Sequence, residues 1–134
     1  MEKINTFRQF VGPAQRGAIY SAMRGEESAY FCELVRDLIT HLETMPATYA
    51  QDGMGEDAIV HLHYFTAGAD WYITEKDSEP EQHQAFGLAD LFGDGGELGY
   101  ISVIELLAHG AELDLHFAPR TLGELRRQRE RLAA

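Results

Sequence analysis

His61 and His63 are the residues of this chain whose type and spacing come nearest to a reactive group. They stand two apart in AIVHLHYFT, residues 58–66, and two histidines on one strand face can give zinc two nitrogen ligands. Asp70, His83 or His116 would have to supply a third through the fold, since the sequence holds no H-E-x-x-H and no C-x-x-C. The pair therefore reads first as histidines beside Ile59 and Phe65 on a half-buried strand. No metal or other cofactor is expected, and a small metal-dependent hydrolase using His61 and His63 stands as an alternative.

Glu75, Asp77, Glu79 and Glu81 suggest paired carboxylates, but acid–base work needs one member in an apolar pocket. Glu79 and Glu81 flank Pro80 in a turn and read as solvated, whereas Glu75, Glu97 and Glu105 lie next to apolar residues and are better placed for burial. Gly93, Gly95, Gly96 and Gly99 spell G-x-G-G-x-x-G. This is neither a dinucleotide fingerprint nor a P-loop, and Asp94 and Glu97 would repel phosphate. Tyr64, Phe65, Trp71, Tyr72, Phe86, Tyr100 and Phe117 fall on expected strands. Sheets that stack bases need basic residues around the rings, so these aromatics read as sheet core. Cys32 is the single cysteine, has no evident partner base and excludes an intrachain disulfide, which fits a reducing cytosol. No catalytic residue is assigned.

The charge is uneven. Residues 1–42 hold five acids and five bases, residues 43–119 hold fifteen acids and one base, Lys76, and residues 120–134 hold two acids and five arginines. The middle of the chain thus carries a net charge of -14 within a total of -11, which disfavours nucleic acid and anionic membrane as direct partners of that region. Arg126, Arg127, Arg129 and Arg131 are the exception: they form a basic tail that would touch RNA or an acidic partner, or pair with the acidic middle.

The elements that must position these residues follow from periodicity. Gly12-Pro13 opens a helical signal that stops at Gly25. Phe31, Leu34, Val35, Leu38, Ile39 and Leu42 form a helical stripe over residues 28–44, ended by Met45-Pro46. Residues 46–57 read as a loop. Strands are expected at 58–66, with Ile59, His61, His63 and Phe65 on one face, and at 70–76, 84–92 and 112–117. Leu98–Ile101 is taken as the approach to a helix at Val103–His109, with Ser102 and Glu105 as a capping box. Thr121 and Glu124 form a second such box, opening a helix to about 132. The fold class is α+β: N-terminal helices packed on a small antiparallel sheet of about four strands, with short helices near the C-terminus. The chain of 134 residues suits a single domain, 1–134, with a helical part at 1–45, a sheet part at 58–117 and a C-terminal helix at 121–132. No run reaches signal-peptide or membrane-span length, so a soluble, cytoplasmic protein of a bacterial host cell is expected.

Val60–Phe65, Trp71-Tyr72-Ile73-Thr74-Glu75, Phe86-Gly87, Glu97-Leu98-Gly99-Tyr100-Ile101-Ser102 and Glu105-Leu106 together carry a resemblance. The pattern, over about residues 55–125, resembles a small family of unknown function found in plasmids, integrative elements and phages, and residues 10–27 are similar to its longer members. The resemblance implies an accessory gene of mobile DNA, a class that often acts on host defence, replication or transfer. It carries no activity over to individual residues.

Charge and resemblance together give the functional expectation. This is an acidic, protein-binding inhibitor or modulator of a host defence complex, of anti-CRISPR or anti-restriction type. It would dock on a basic nucleic-acid-binding surface or between subunits. Glu56, Asp57, Asp77, Glu79, Glu81 and Asp94 are the expected acidic contacts, with Tyr49 and Met54 as apolar anchors. A nucleic-acid-associated regulator acting through the arginine tail is a further alternative.

Overall fold

The stripe on the second expected helix does what its spacing requires. In the computed structural model, which describes residues 2–133, that helix is α3 (Ser28–Thr44), and it buries Val35 and Leu42. It follows α1 (Glu2–Phe10) and α2 (Pro13–Met23). After a 3-10 turn at Gly55–Asp57 come β1 (Ile59–Val60), β2 (Leu62–Phe65), β3 (Asp70–Glu75), β4 (Ala85–Asp90) and β5 (Glu97–Ile101). Then follow α4 (Val103–Ala108), β6 (Glu112–Leu113), β7 (Arg120–Thr121) and α5 (Leu122–Ala133). Five strands form an antiparallel sheet in the order β5-β4-β3-β2-β6, and β1 pairs with β7 in a separate two-stranded ribbon. The architecture is α+β.

Side chains alternate across the sheet and meet helices on both faces. Leu62, Tyr64 and Ile73 pack with Phe7, Phe10, Val35 and Leu42 of the N-terminal helices. Val60, Tyr72 and Leu88 pack on the opposite face with Leu122 and Leu125 of α5. Each large apolar side chain so buried contributes about 1.5–3 kcal/mol before chain entropy is counted. Gly87 lies at the centre of the sheet, where a Cβ would stand 2.0 Å from the Tyr72 carbonyl oxygen. Only glycine allows β3 and β4 to approach that closely.

Several expected elements differ from those observed. The sheet has five strands rather than about four, because Glu97–Ile101 pairs along β4, Gly99 opposite Gly87, instead of leading into the helix. The strand expected at 112–117 is only two residues long: the Asp114 carboxylate accepts the His116 N–H at 3.1 Å and turns the chain away. α1 and β7 have no clear periodic signal, although Phe7 and Phe10 are buried. The run 58–66 is broken at His61, so Val60 packs towards α5 while Leu62 and Tyr64 pack towards the N-terminal helices. The expected common face of Ile59, His61, His63 and Phe65 therefore does not exist.

Tyr64 ties the sheet to α1. Its fully buried hydroxyl donates to the Phe10 carbonyl, an acceptor left open at the end of that helix. Tyr64→Phe keeps the ring and strands this carbonyl, so urea denaturation should show a loss of about 1–3 kcal/mol.

Candidate functional site

Two of the four tail arginines, Arg126 and Arg129, are engaged by the chain itself. Thr121 caps α5, its hydroxyl oxygen accepting the Glu124 N–H at 3.1 Å, and Leu122 and Leu125 seat the helix on the sheet. This orientation lays the Arg129 guanidinium over the Tyr72 ring, 5.1 Å from its centroid. Arg129 also donates to the Tyr72 hydroxyl and to the carboxylate of Asp90, which is buried. The other Asp90 oxygen accepts the Gly93 N–H at 2.8 Å. Burial raises the Tyr72 phenol above its usual range, partly offset by Arg129. Arg126 donates to Glu56 at 2.9 Å. Of the four tail arginines, Arg127 and Arg131 are exposed. Lys76, the single base of the acidic middle, donates to the Leu42 and Glu43 carbonyls at the end of α3, and burial lowers its pKa.

The two histidines of the H-x-H pair have different neighbours. His61 lies beside His41 of α3, ring centroids 5.1 Å apart, and its buried Nδ1 has no hydrogen-bond partner. His63 stacks on Tyr72, with centroids 4.6 Å apart and planes 7° apart. Its Nε2 lies 2.7 Å from Asp70 and its Nδ1 lies 3.1 Å from Asp114. A carboxylate thus sits at each of the two ring nitrogens. This arrangement joins β2, the start of β3 and the turn after β6. Among the described residues no three His, Cys, Asp or Glu side chains are grouped to hold a metal ion. His61 and His63 share no ligand set, because the break at His61 separates them.

The expected acidic contacts fall into separate groups. Tyr49 and Met54 are exposed on the loop before the 3-10 turn, near Asp52, Glu56 and Asp57, which are exposed too. Gln51 fastens this loop to the sheet. Its amide oxygen accepts the Ile59 N–H at 2.6 Å, and its amide nitrogen donates to the Ile59 and Thr74 carbonyls at 2.9 and 2.8 Å. Glu79 and Glu81 lie on the turn after β3, and Glu79 faces a hollow shared with Asn5, Gln9 and Glu43. Asp94 is exposed in the glycine loop and accepts the Gly96 N–H at 3.1 Å.

Asp77 corrects the expectation of an exposed contact. It is buried, and its two oxygens accept the Glu79 and Gln84 N–H groups, so it organises the turn rather than presenting charge. Of the acids expected to be buried, Glu75 is, whereas Glu97 and Glu105 are exposed. Two exposed apolar residues that the sequence analysis did not single out as contacts, Leu98 and Tyr100, lie on edge strand β5. The Tyr100 hydroxyl meets that of Tyr49 at 2.5 Å. The signal available in the sequence was the alternation of Leu98 and Tyr100 about Gly99, overridden by the helix expected after it.

Burial, and secondarily the nearby His41, lowers the pKa of His61 below its usual 6.5. The folded chain then binds fewer protons at this site than the unfolded chain. The resulting stability is fully present above about pH 6.5 and declines as pH falls towards the folded value. Denaturation midpoints between pH 7 and pH 5 should fall less steeply in His61→Gln than in the parent chain. An equal slope would show that His61 does not contribute.

Among the described residues no helix is long and apolar enough to cross a membrane. No curated protein and no solved structure matches the chain. The W-Y-x-T-E strand, the E-L-G-Y-x-S edge strand and the loop fastened by Gln51 all lie within residues 32–121, which match one family model. On that match the chain belongs to the family described as Protein of unknown function (DUF2958).

Proposed function

We propose that this protein is a non-enzymatic, acidic binding module that docks on a basic surface of another protein. The observation that carries this reading is the internal engagement of three bases that lie in or against the acidic middle of the chain. Lys76, Arg126 and Arg129 are held by groups of the chain itself, while Asp52, Asp57, Glu79, Glu81 and Asp94 remain exposed. A surface that presents these acids outward attracts cationic partners and sets the orientation of encounter. The loop at 49–57 offers both parts of such a contact, apolar anchors at Tyr49 and Met54 and a rim of acids.

The natural class of partner is a nucleic-acid-binding protein, whose Lys/Arg groove an acidic surface competes for. The resemblance of residues 55–125 to proteins of plasmids, integrative elements and phages supports placing that partner in a host defence complex of CRISPR or restriction type. Arg126 and Arg129, engaged within the chain, and the separated histidines give less support to a nucleic-acid-binding tail or a metal-dependent hydrolase.

The test is competition. Added to a purified restriction or CRISPR surveillance complex of the host, the protein should reduce DNA binding in a gel shift. Asp52→Lys with Asp57→Lys should lose this effect while changing stability by only about 0.5 kcal/mol, as surface substitutions do. Undiminished DNA binding across such complexes, or full inhibition by the double variant, overturns the proposal.

A further inference from the structure

The Glu75 carboxylate is an acid without a counter-charge. The residue is buried, yet among the described residues it forms no salt bridge. Its one hydrogen bond is from Thr74, whose hydroxyl lies 2.5 Å from Oε2. A carboxylate with one such bond keeps capacity to accept further donors.

The backbone aims it. The β3–β4 register slips between Ile73, opposite Gly87, and Glu75, opposite Phe86. A bulge of this kind re-aims side chains near its extra residue. Here Thr74 and Glu75 both line one cavity of about 350 Å³, with Phe86 and Leu98 of the neighbouring strands. Tyr49 and Asp52, on the loop fastened by Gln51, form the facing wall. Phe86 is held edge-on to Tyr100, with planes 86° apart, and Tyr100 in turn is held by the Tyr49 hydroxyl. The cavity therefore has aromatic sides, a buried carboxylate and a second carboxylate in its lining. Its volume lies at the lower end of small-ligand sites, ample for one long side chain.

We propose that this cavity is a socket for the guanidinium of an arginine side chain presented by the basic partner, an inference that rests on the docking reading above. A guanidinium is planar, stacks on aromatic faces, is weakly hydrated and presents several N–H donors in one plane, whereas an ammonium is a strongly hydrated point charge. The free Glu75 oxygen accepts one N–H, Asp52 takes another, and Phe86 and Tyr49 flank the plane.

The test titrates the purified chain with N-acetyl-arginine amide, followed by amide NMR shifts. Saturable shifts at Thr74, Glu75, Phe86 and Tyr49 are expected. Binding should be at least tenfold weaker in Glu75→Gln, and N-acetyl-lysine amide should bind more weakly than the arginine probe. Phe86→Leu, which keeps an apolar wall, should bring the two probes closer together, and it serves as the readout if Glu75→Gln does not fold. Absence of saturable shifts in the parent chain, or equal affinity in the variants, overturns the socket. The two proposals fail separately. Arginine binding without inhibition of any defence complex leaves the socket standing and removes the docking reading, whereas inhibition retained in Glu75→Gln removes the socket alone.

Discussion

The contact between Asp90 and Arg129 sets the terms for one whole face of the sheet. Asp90 is 1 % exposed, near the end of β4, and a carboxylate there needs donors. The Gly93 amide supplies one and Arg129 the other. Because Arg129 rides on α5, meeting this need also fixes where the helix lies. Its guanidinium then covers Tyr72, which stacks on His63, which in turn reaches Asp70 and Asp114. Removing one partner of such a buried pair ordinarily costs about 3–5 kcal/mol, while replacing both with apolar residues costs little or nothing. The pair therefore specifies an arrangement more than it supplies net stability.

The same contact explains how a strongly acidic chain presents its charge. A bulk value of -11 does not distinguish acids that serve the fold from acids that face outward. Asp77 and Asp90 serve the fold, the first by holding a turn and the second by holding a helix. Glu56 is shared, since Arg126 reaches it from α5. Of the others, Asp52, Asp57, Glu79, Glu81 and Asp94 lie exposed on loops and turns, where they are available to another molecule.

Features governed by neighbours in sequence were legible before the fold was known. The stripe of α3 and the capping pairs Ser102–Glu105 and Thr121–Glu124 depend on residues three or four apart, and each is found where its spacing puts it. Features governed by distant partners were not. β5 is a strand because β4 lies beside it, since Gly99 itself carries little strand preference. The exchange of faces at His61 and the slip at Thr74 are decided by pairing partners, so neither the separation of the histidines nor the aim of Glu75 has a local signature. Tyr49 and Met54 could be anticipated as exposed because a polar, glycine-rich loop surrounds them. That Gln51 rivets this loop to two strands could not.

The helices that cover the two faces of the sheet come from opposite sides of it in the chain. α1, α2 and α3 precede every strand, whereas α5 follows them all. During synthesis most of the layer on one face, α1 to α3, is made before any strand and α4 joins it after β5, while the other face has no helix until α5 and its Arg129, 39 residues after Asp90. Val60, Tyr72 and Leu88, with the Asp90 carboxylate, find their helical partners only on α5. Cover for that face of the sheet thus waits on α5, which acts as its latch.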